Sequence, residues 1–198
     1  SVTKLINKLK KNGKSNIYVI IIEPFCANIY ESCSKDFLFE LRKLCNDHNI
    51  ALIFDEVYTG WGKTGYLFYF MKYSGLFPDI LTMSKSIGGG KSSISCFVTR
   101  DKLFFKAYGT VKQSLMHSST YSGFGEEAAT AIEAIRIVKE ENYPLRSQHI
   151  NKILIDSLND LKNKYPQNIE DINGEGSLLG IKFCLSENCE NLFKLIPF

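Results

Sequence analysis

Two residues stand where a fold can make them reactive, each at the end of an apolar run. Asp55 closes Ile50-Ala51-Leu52-Ile53-Phe54, and Lys85 follows Ile80-Leu81-Thr82-Met83 by one serine. Lysine is rarely buried unless it is paired or used. A partly desolvated lysine loses affinity for its proton and becomes an amine nucleophile suited to Schiff-base chemistry. A carboxylate at the mouth of a buried strand is held rigidly and pairs with a cation, a metal or a protonated ring nitrogen. Each also has a plainer reading. The lysine can snorkel from a strand end into water, and Asp55-Glu56 can be a solvated pair capping the next turn.

Three loops carry further signals. In Thr59-Gly60-Trp61-Gly62-Lys63-Thr64-Gly65 the glycines allow close approach to a ligand, although a tight surface loop explains them as well. Gly90-Lys91-Ser92 looks like the end of a phosphate-binding GxxxxGK[ST] loop. The first glycine of that pattern falls on Lys85, and the apolar-plus-acid strand precedes it where it should follow, so a nucleotide-binding reading is poor. Ser118-Ser119-Thr120-Tyr121-Ser122-Gly123 stands ahead of a helix-like stretch from Glu126. Hydroxyls there suit an anion such as phosphate, or simply cap the helix.

The elements that must position these residues read as an α/β order. Ile17–Ile22 is a continuous β-branched run, the pattern of a strand buried on both faces. Ser34 caps a helix over 35–47 whose Phe37, Leu38, Leu41 and Leu44 share a stripe. Ile50–Phe54, Ile80–Met83 and Ile94–Thr99 are further strands. Strands joined by helices and short loops give a mostly parallel sheet with helical crossovers, which binds ligands beyond the carboxyl ends of its strands. Glu23, Asp55 and Lys85 lie at such ends. A basic helix is expected over 4–12, with Gly13 as its stop. Later come helices over 126–141 and 145–165, broken at Asn142-Tyr143-Pro144, then a loop at 169–176 feeding a strand at 178–184.

Composition narrows the function classes. A net charge of +3 lacks the basic excess of a nucleic-acid binder. With 44% hydrophobic and 23% charged residues, the chain can bury a core and is not disordered. The longest apolar run falls far short of the roughly 20 residues a membrane span needs. The 6 cysteines form no CxxC pair and read as reduced cytoplasmic thiols. With 3 scattered histidines, no metal site is expected. The chain opens on Ser1 and stops in an apolar run, so it reads as a piece of something longer.

The order of these motifs is more telling than any one of them. Glu23-Pro24 after a strand, then Asp55-Glu56-Val57-x-Thr59-Gly60-x-Gly62-x-Thr64-Gly65, Pro78-Asp79, Ser84-Lys85 with three glycines, and Ser119-Thr120-Tyr121 follow one another. The series, from about Tyr18 to Cys184, closely resembles the class III aminotransferases, pyridoxal-phosphate enzymes of fold type I. The resemblance implies α/β architecture, with 1–142 as part of the large cofactor-binding domain and 143–198 as the start of a small C-terminal α+β domain. It implies pyridoxal 5'-phosphate as cofactor, an amine donor and a 2-oxo acid acceptor as substrates, and a cytoplasmic homodimer with shared active sites. By similarity Lys85 is the Schiff-base and proton-shuttling lysine. Asp55 pairs with the pyridine nitrogen, Val57 packs on the ring, and Tyr58 stands near the ring oxygen. Thr120, with Ser119 beside it, reaches the phosphate held by the neighbouring subunit, and Glu23 is a structural acid.

Several positions depart from the family pattern. Phe25-Cys26-Ala27-Asn28 replaces Gln-Gly-Glu, Tyr58 replaces glutamine, Lys63 replaces arginine, and Asn173 replaces an arginine that in several members holds a substrate carboxylate. An aminomutase of the same fold, or a truncated paralogue acting as a structural or interaction domain, are the alternatives.

Overall fold

A computed structural model of the chain describes residues 4, 10–11, 14–15 and 17–184. Its centre is a four-stranded sheet in the order β3 (Val19–Ile22), β6 (Ala51–Asp55), β7 (Ile80–Met83) and β8 (Cys96–Thr99). β3, β6 and β7 are parallel, and β8 closes the edge antiparallel to β7. The mostly parallel α/β sheet expected from the sequence is therefore what forms.

Strand register divides the sheet into two unlike faces. Leu52, Phe54, Leu81 and Met83 point to one side and are buried, with α1 (Lys35–Asp47) covering them through Leu38, Leu41 and Cys45. α1 starts where the sequence places it, with the Phe37 N–H donating to Ser34 Oγ at 3.2 Å. The other side carries Val19, Ile21, Ala51, Asp55, Thr82 and Phe97. Here the expectation of a strand buried on both faces fails: Val19 is 47% and Ile21 60% exposed. β3 is an edge strand, and α2 (Asp101–Tyr108) only partly covers this face, leaving a cavity of about 430 Å³ against Val19, Ala51, Ile80 and Phe97.

Around this sheet sit smaller pieces. β1 (Lys10–Lys11) and β2 (Lys14–Ser15) pair as an antiparallel hairpin, so the basic helix expected over 4–12 does not reach Lys10; Lys4 is helical, and 5–9 and 12 lie outside the described residues. β4 (Phe25–Cys26) and β5 (Glu31–Ser32) form a second short pair. α3 (Gly125–Glu140) and α4 (Tyr143–Lys164) are separated by Asn142 at φ 49, whose Oδ1 caps α4 by accepting from the Leu145 N–H. The supposed loop at 169–176 is itself a strand: β9 (Ile169–Glu175) pairs with β10 (Leu178–Phe183) as an antiparallel hairpin. Gly174, read as a loop signal, sits inside it at φ 129, a backbone angle that glycine tolerates.

Candidate active site

Asp55 is the last residue of β6, opposite Thr82 of β7. Lys85 comes two residues after β7 ends. Because the two strands are adjacent and parallel, both side chains leave the sheet at the same end. Asp55 Oδ1 accepts from the Val57 N–H at 3.0 Å, which turns the chain at once into the glycine loop. The second oxygen has no partner among the described residues. Beside it in the register, Thr82 Oγ1 is buried with no hydrogen-bond partner among the described residues.

The glycine loop is closed by Glu56, for which burial rules out the plainer reading of a solvated acid. Glu56 is 0% exposed. Its Oε2 accepts from the Tyr69 N–H at 2.5 Å and the Thr59 hydroxyl at 3.0 Å, and its Oε1 from the Phe70 N–H at 2.9 Å. One side chain thus ties both ends of the 56–70 loop together. Burial raises Glu56 to about 7 against the pull of those three donors. Gly60 is needed within this closure, since a Cβ there would stand 2.9 Å from the Phe68 ring and 3.0 Å from the Glu56 carbonyl. The pattern that could have revealed Glu56 is an acid followed three residues later by threonine at the start of a glycine loop.

The loop delivers Tyr58 and Lys63 to Lys85. The Lys85 ammonium lies 5.4 Å from the centre of the Tyr58 ring, and that of Lys63 5.6 Å. Tyr58 also raises the Tyr30 phenol beside it. Lys85 sits at φ 52, a strained angle for a side-chain-bearing residue, of the kind that clusters at functional sites. It lines a cavity of about 360 Å³ together with Ser84, Ser92, Ser93 and Ser95. One expectation is corrected here. Lys85 is exposed, not partly buried, because it opens a 3₁₀ turn (Lys85–Gly88) that carries it off the sheet. The shielded amine is Lys63. It donates to Ser86 Oγ at 2.9 Å, and burial, then the Lys85 charge, lower it to about 8.

Other expected residues lie apart from this cluster. Ser119 pairs with Ser122 across a turn, its N–H donating to Ser122 Oγ at 3.0 Å, and Thr120 is exposed. Among the described residues no hydrogen bond joins either of them to Asp55 or Lys85. They do not cap α3, whose N-cap is Phe124. Glu23 Oε2 accepts from the Ala27 N–H at 3.0 Å, a structural role. Asn173 donates to Glu31 Oε1 at 3.3 Å. The nucleotide-loop reading fails on topology: Lys91-Ser92 leads into strand β8, whereas a phosphate loop must open a helix. No cluster of three or more potential metal ligands occurs among the described residues.

A parallel sheet with an aspartate and a lysine at the carboxyl ends of neighbouring strands defines an α/β fold of the kind that holds ligands at that edge. Residues 1–196 match the class-III aminotransferase family, and the chain belongs to it. It is 37% identical over 178 residues to the acetylornithine aminotransferase of Agrobacterium fabrum, a match covering 89% of this chain and 43% of that protein. Among solved structures, it resembles the amine transaminase of an uncultivated Pseudomonas species in its PLP-bound form. The TM-score is 0.82 and the identity 25%, over 95% of this chain and 42% of that one. It also resembles the ornithine aminotransferase of Toxoplasma gondii, with TM-score 0.79, 27% identity, and coverage of 93% and 42%. The chain spans less than half the length of these relatives. Among the described residues no helix is long and apolar enough to cross a membrane.

Proposed function

We propose that this chain carries the lysine-bearing part of a pyridoxal-phosphate-dependent aminotransferase, passing an amino group from an amine or amino acid to a 2-oxo acid. The observation that carries the reading is the exit of Asp55 and Lys85 from the same end of adjacent parallel strands, with the Lys85 ammonium over the Tyr58 ring. The donor set suits the cofactor. An accessible primary amine borders a cavity, a carboxylate keeps one oxygen free, and an unpaired buried hydroxyl on Thr82 stands beside it.

Pyridoxal phosphate supplies an electron-withdrawing ring that stabilises negative charge at the substrate carbon. The residues supply the rest. Lys85 Nζ would hold the cofactor covalently and, once freed by the incoming amine, would take a proton from the substrate carbon and return one. Asp55 would accept a hydrogen bond from the protonated ring nitrogen and so keep it charged. Val57 would back the ring, and the Tyr58 hydroxyl would serve the ring oxygen. The exposure of Ser119 and Thr120 supports their serving the phosphate in a second copy, hence a homodimer with shared sites. Five free thiols among the described cysteines support a reducing, cytoplasmic setting.

The test is an absorbance scan with added pyridoxal phosphate. A band near ~420 nm that borohydride removes and that Lys85→Ala abolishes is expected. Equal spectra for the two proteins, repeated in the full-length parent, would overturn the reading.

A further inference from the structure

Two amines share one aromatic ring, and only one of them has a role in amino transfer. Among the described residues no carboxylate forms an ion pair with Lys63 or Lys85. Lys63 is drawn under the loop toward Ser86, while Lys85 stands in the open. Its backbone is fixed as well. The Lys63 carbonyl accepts from the Ser177 N–H at 2.8 Å and from the Ser177 hydroxyl at 3.1 Å, so the turn of the β9–β10 hairpin clamps it. The result is a partly desolvated amine, held in place, whose hold on its proton burial and then the Lys85 charge weaken. That arrangement favours the neutral, nucleophilic form.

We propose that Lys63 is a second carbonyl-capturing amine, condensing with an aldehyde that reaches the Tyr58 face. The Nζ lone pair adds to the carbonyl carbon. The nitrogen then loses both hydrogens, the carbon–oxygen bond breaks, and the oxygen leaves as water. The product is an imine, and nothing is oxidised or reduced. The Ser86 hydroxyl accepts from the ammonium and, once Lys63 is neutral, can turn and donate a hydrogen bond to the departing oxygen, whose proton comes from water. An arginine at this position could not do this, because guanidinium keeps its proton. The inference does not depend on amino transfer.

The experiment is reductive trapping. The chain is treated with pyridoxal phosphate across pH 7 to 9, reduced with borohydride, digested and mapped for modified lysines. Lowered to about 8, Lys63 is far more often neutral in this range than an ordinary lysine, so its labelling should exceed that of exposed Lys112 by roughly tenfold or more. The labelling should climb through this pH range, persist in Lys85→Met, and vanish in Lys63→Arg. Circular dichroism checks both variants, and the wild-type map decides if either fails to fold. Label on Lys63 without Lys85 supports the inference and counts against the proposed function. Label on Lys85 alone, on neither, or on Lys63 no more than on Lys112 overturns it.

Discussion

Burial strips the Glu56 carboxylate of water, and three donors replace only part of that hydration. With its affinity for a proton raised from 4.5 to about 7, the folded chain binds that proton more tightly than the unfolded chain does. The stability contributed by protonated Glu56 is therefore full below about 4.5 and is lost as the pH rises through about 7, on the order of 3 kcal/mol in all. At pH 5, Glu56→Gln should be about 1–3 kcal/mol less stable, because its amide nitrogen cannot accept from a donor that either oxygen of the neutral carboxyl can. By pH 8 that deficit should shrink. Urea unfolding at the two pH values measures it; a deficit that grows with pH would mean that the hydrogen bonds, not burial, govern this group.

At the scale of elements, Asp79 holds the sheet in the geometry that aligns Asp55 with Lys85. Its Oδ2 accepts from the Leu52 N–H at 2.8 Å and from Arg42 of α1 at 2.7 Å, and Arg100 approaches Oδ1 at 3.2 Å. One carboxylate thus joins β6, α1 and the end of β8. The two arginines are unequal, since the side chain of Arg42 is 11% exposed and that of Arg100 55%. Asp79→Ala should cost about 2–4 kcal/mol, stranding a shielded cation and a backbone donor. Arg100→Ala should cost under ~1 kcal/mol, as an exposed pair does. Thermal denaturation of both variants tests this ranking. The Pro78-Asp79 motif was visible in the sequence, but its partners were not, because they lie on three separate elements.

Across the whole molecule, the C-terminal hairpin reaches back onto the glycine loop. Gly176, at φ 60, presses on Lys63, whose carbonyl a Cβ would approach to 2.3 Å. Gln148 and Asn151 of α4 bond the carbonyls of Gly65 and Gly176, and the Tyr69 hydroxyl donates to Glu175 Oε1. Gly176→Ala should cost at least ~2 kcal/mol, because neither the backbone angle nor the space suits a side chain. Ser177→Ala should cost under ~1 kcal/mol, since the backbone bond to Lys63 survives. Chemical denaturation of the two variants checks the order.

The sequence by itself determined the local elements and the order of motifs. Ser34 and the Leu38–Leu41 stripe define α1 through contacts three and four residues apart, and the apolar runs before Asp55 and Lys85 mark their strands. Those signals are short-range, so they survive in one dimension, and the family resemblance rests on them. Burial is different, because it depends on which distant segment arrives. Tertiary packing exposed Val19 and Ile21 on an edge strand and buried Glu56 under Tyr69 and Phe70. It also moved the shielded amine from Lys85, which a 3₁₀ turn lifts into the open, to Lys63, which Ser86 and the hairpin hold down.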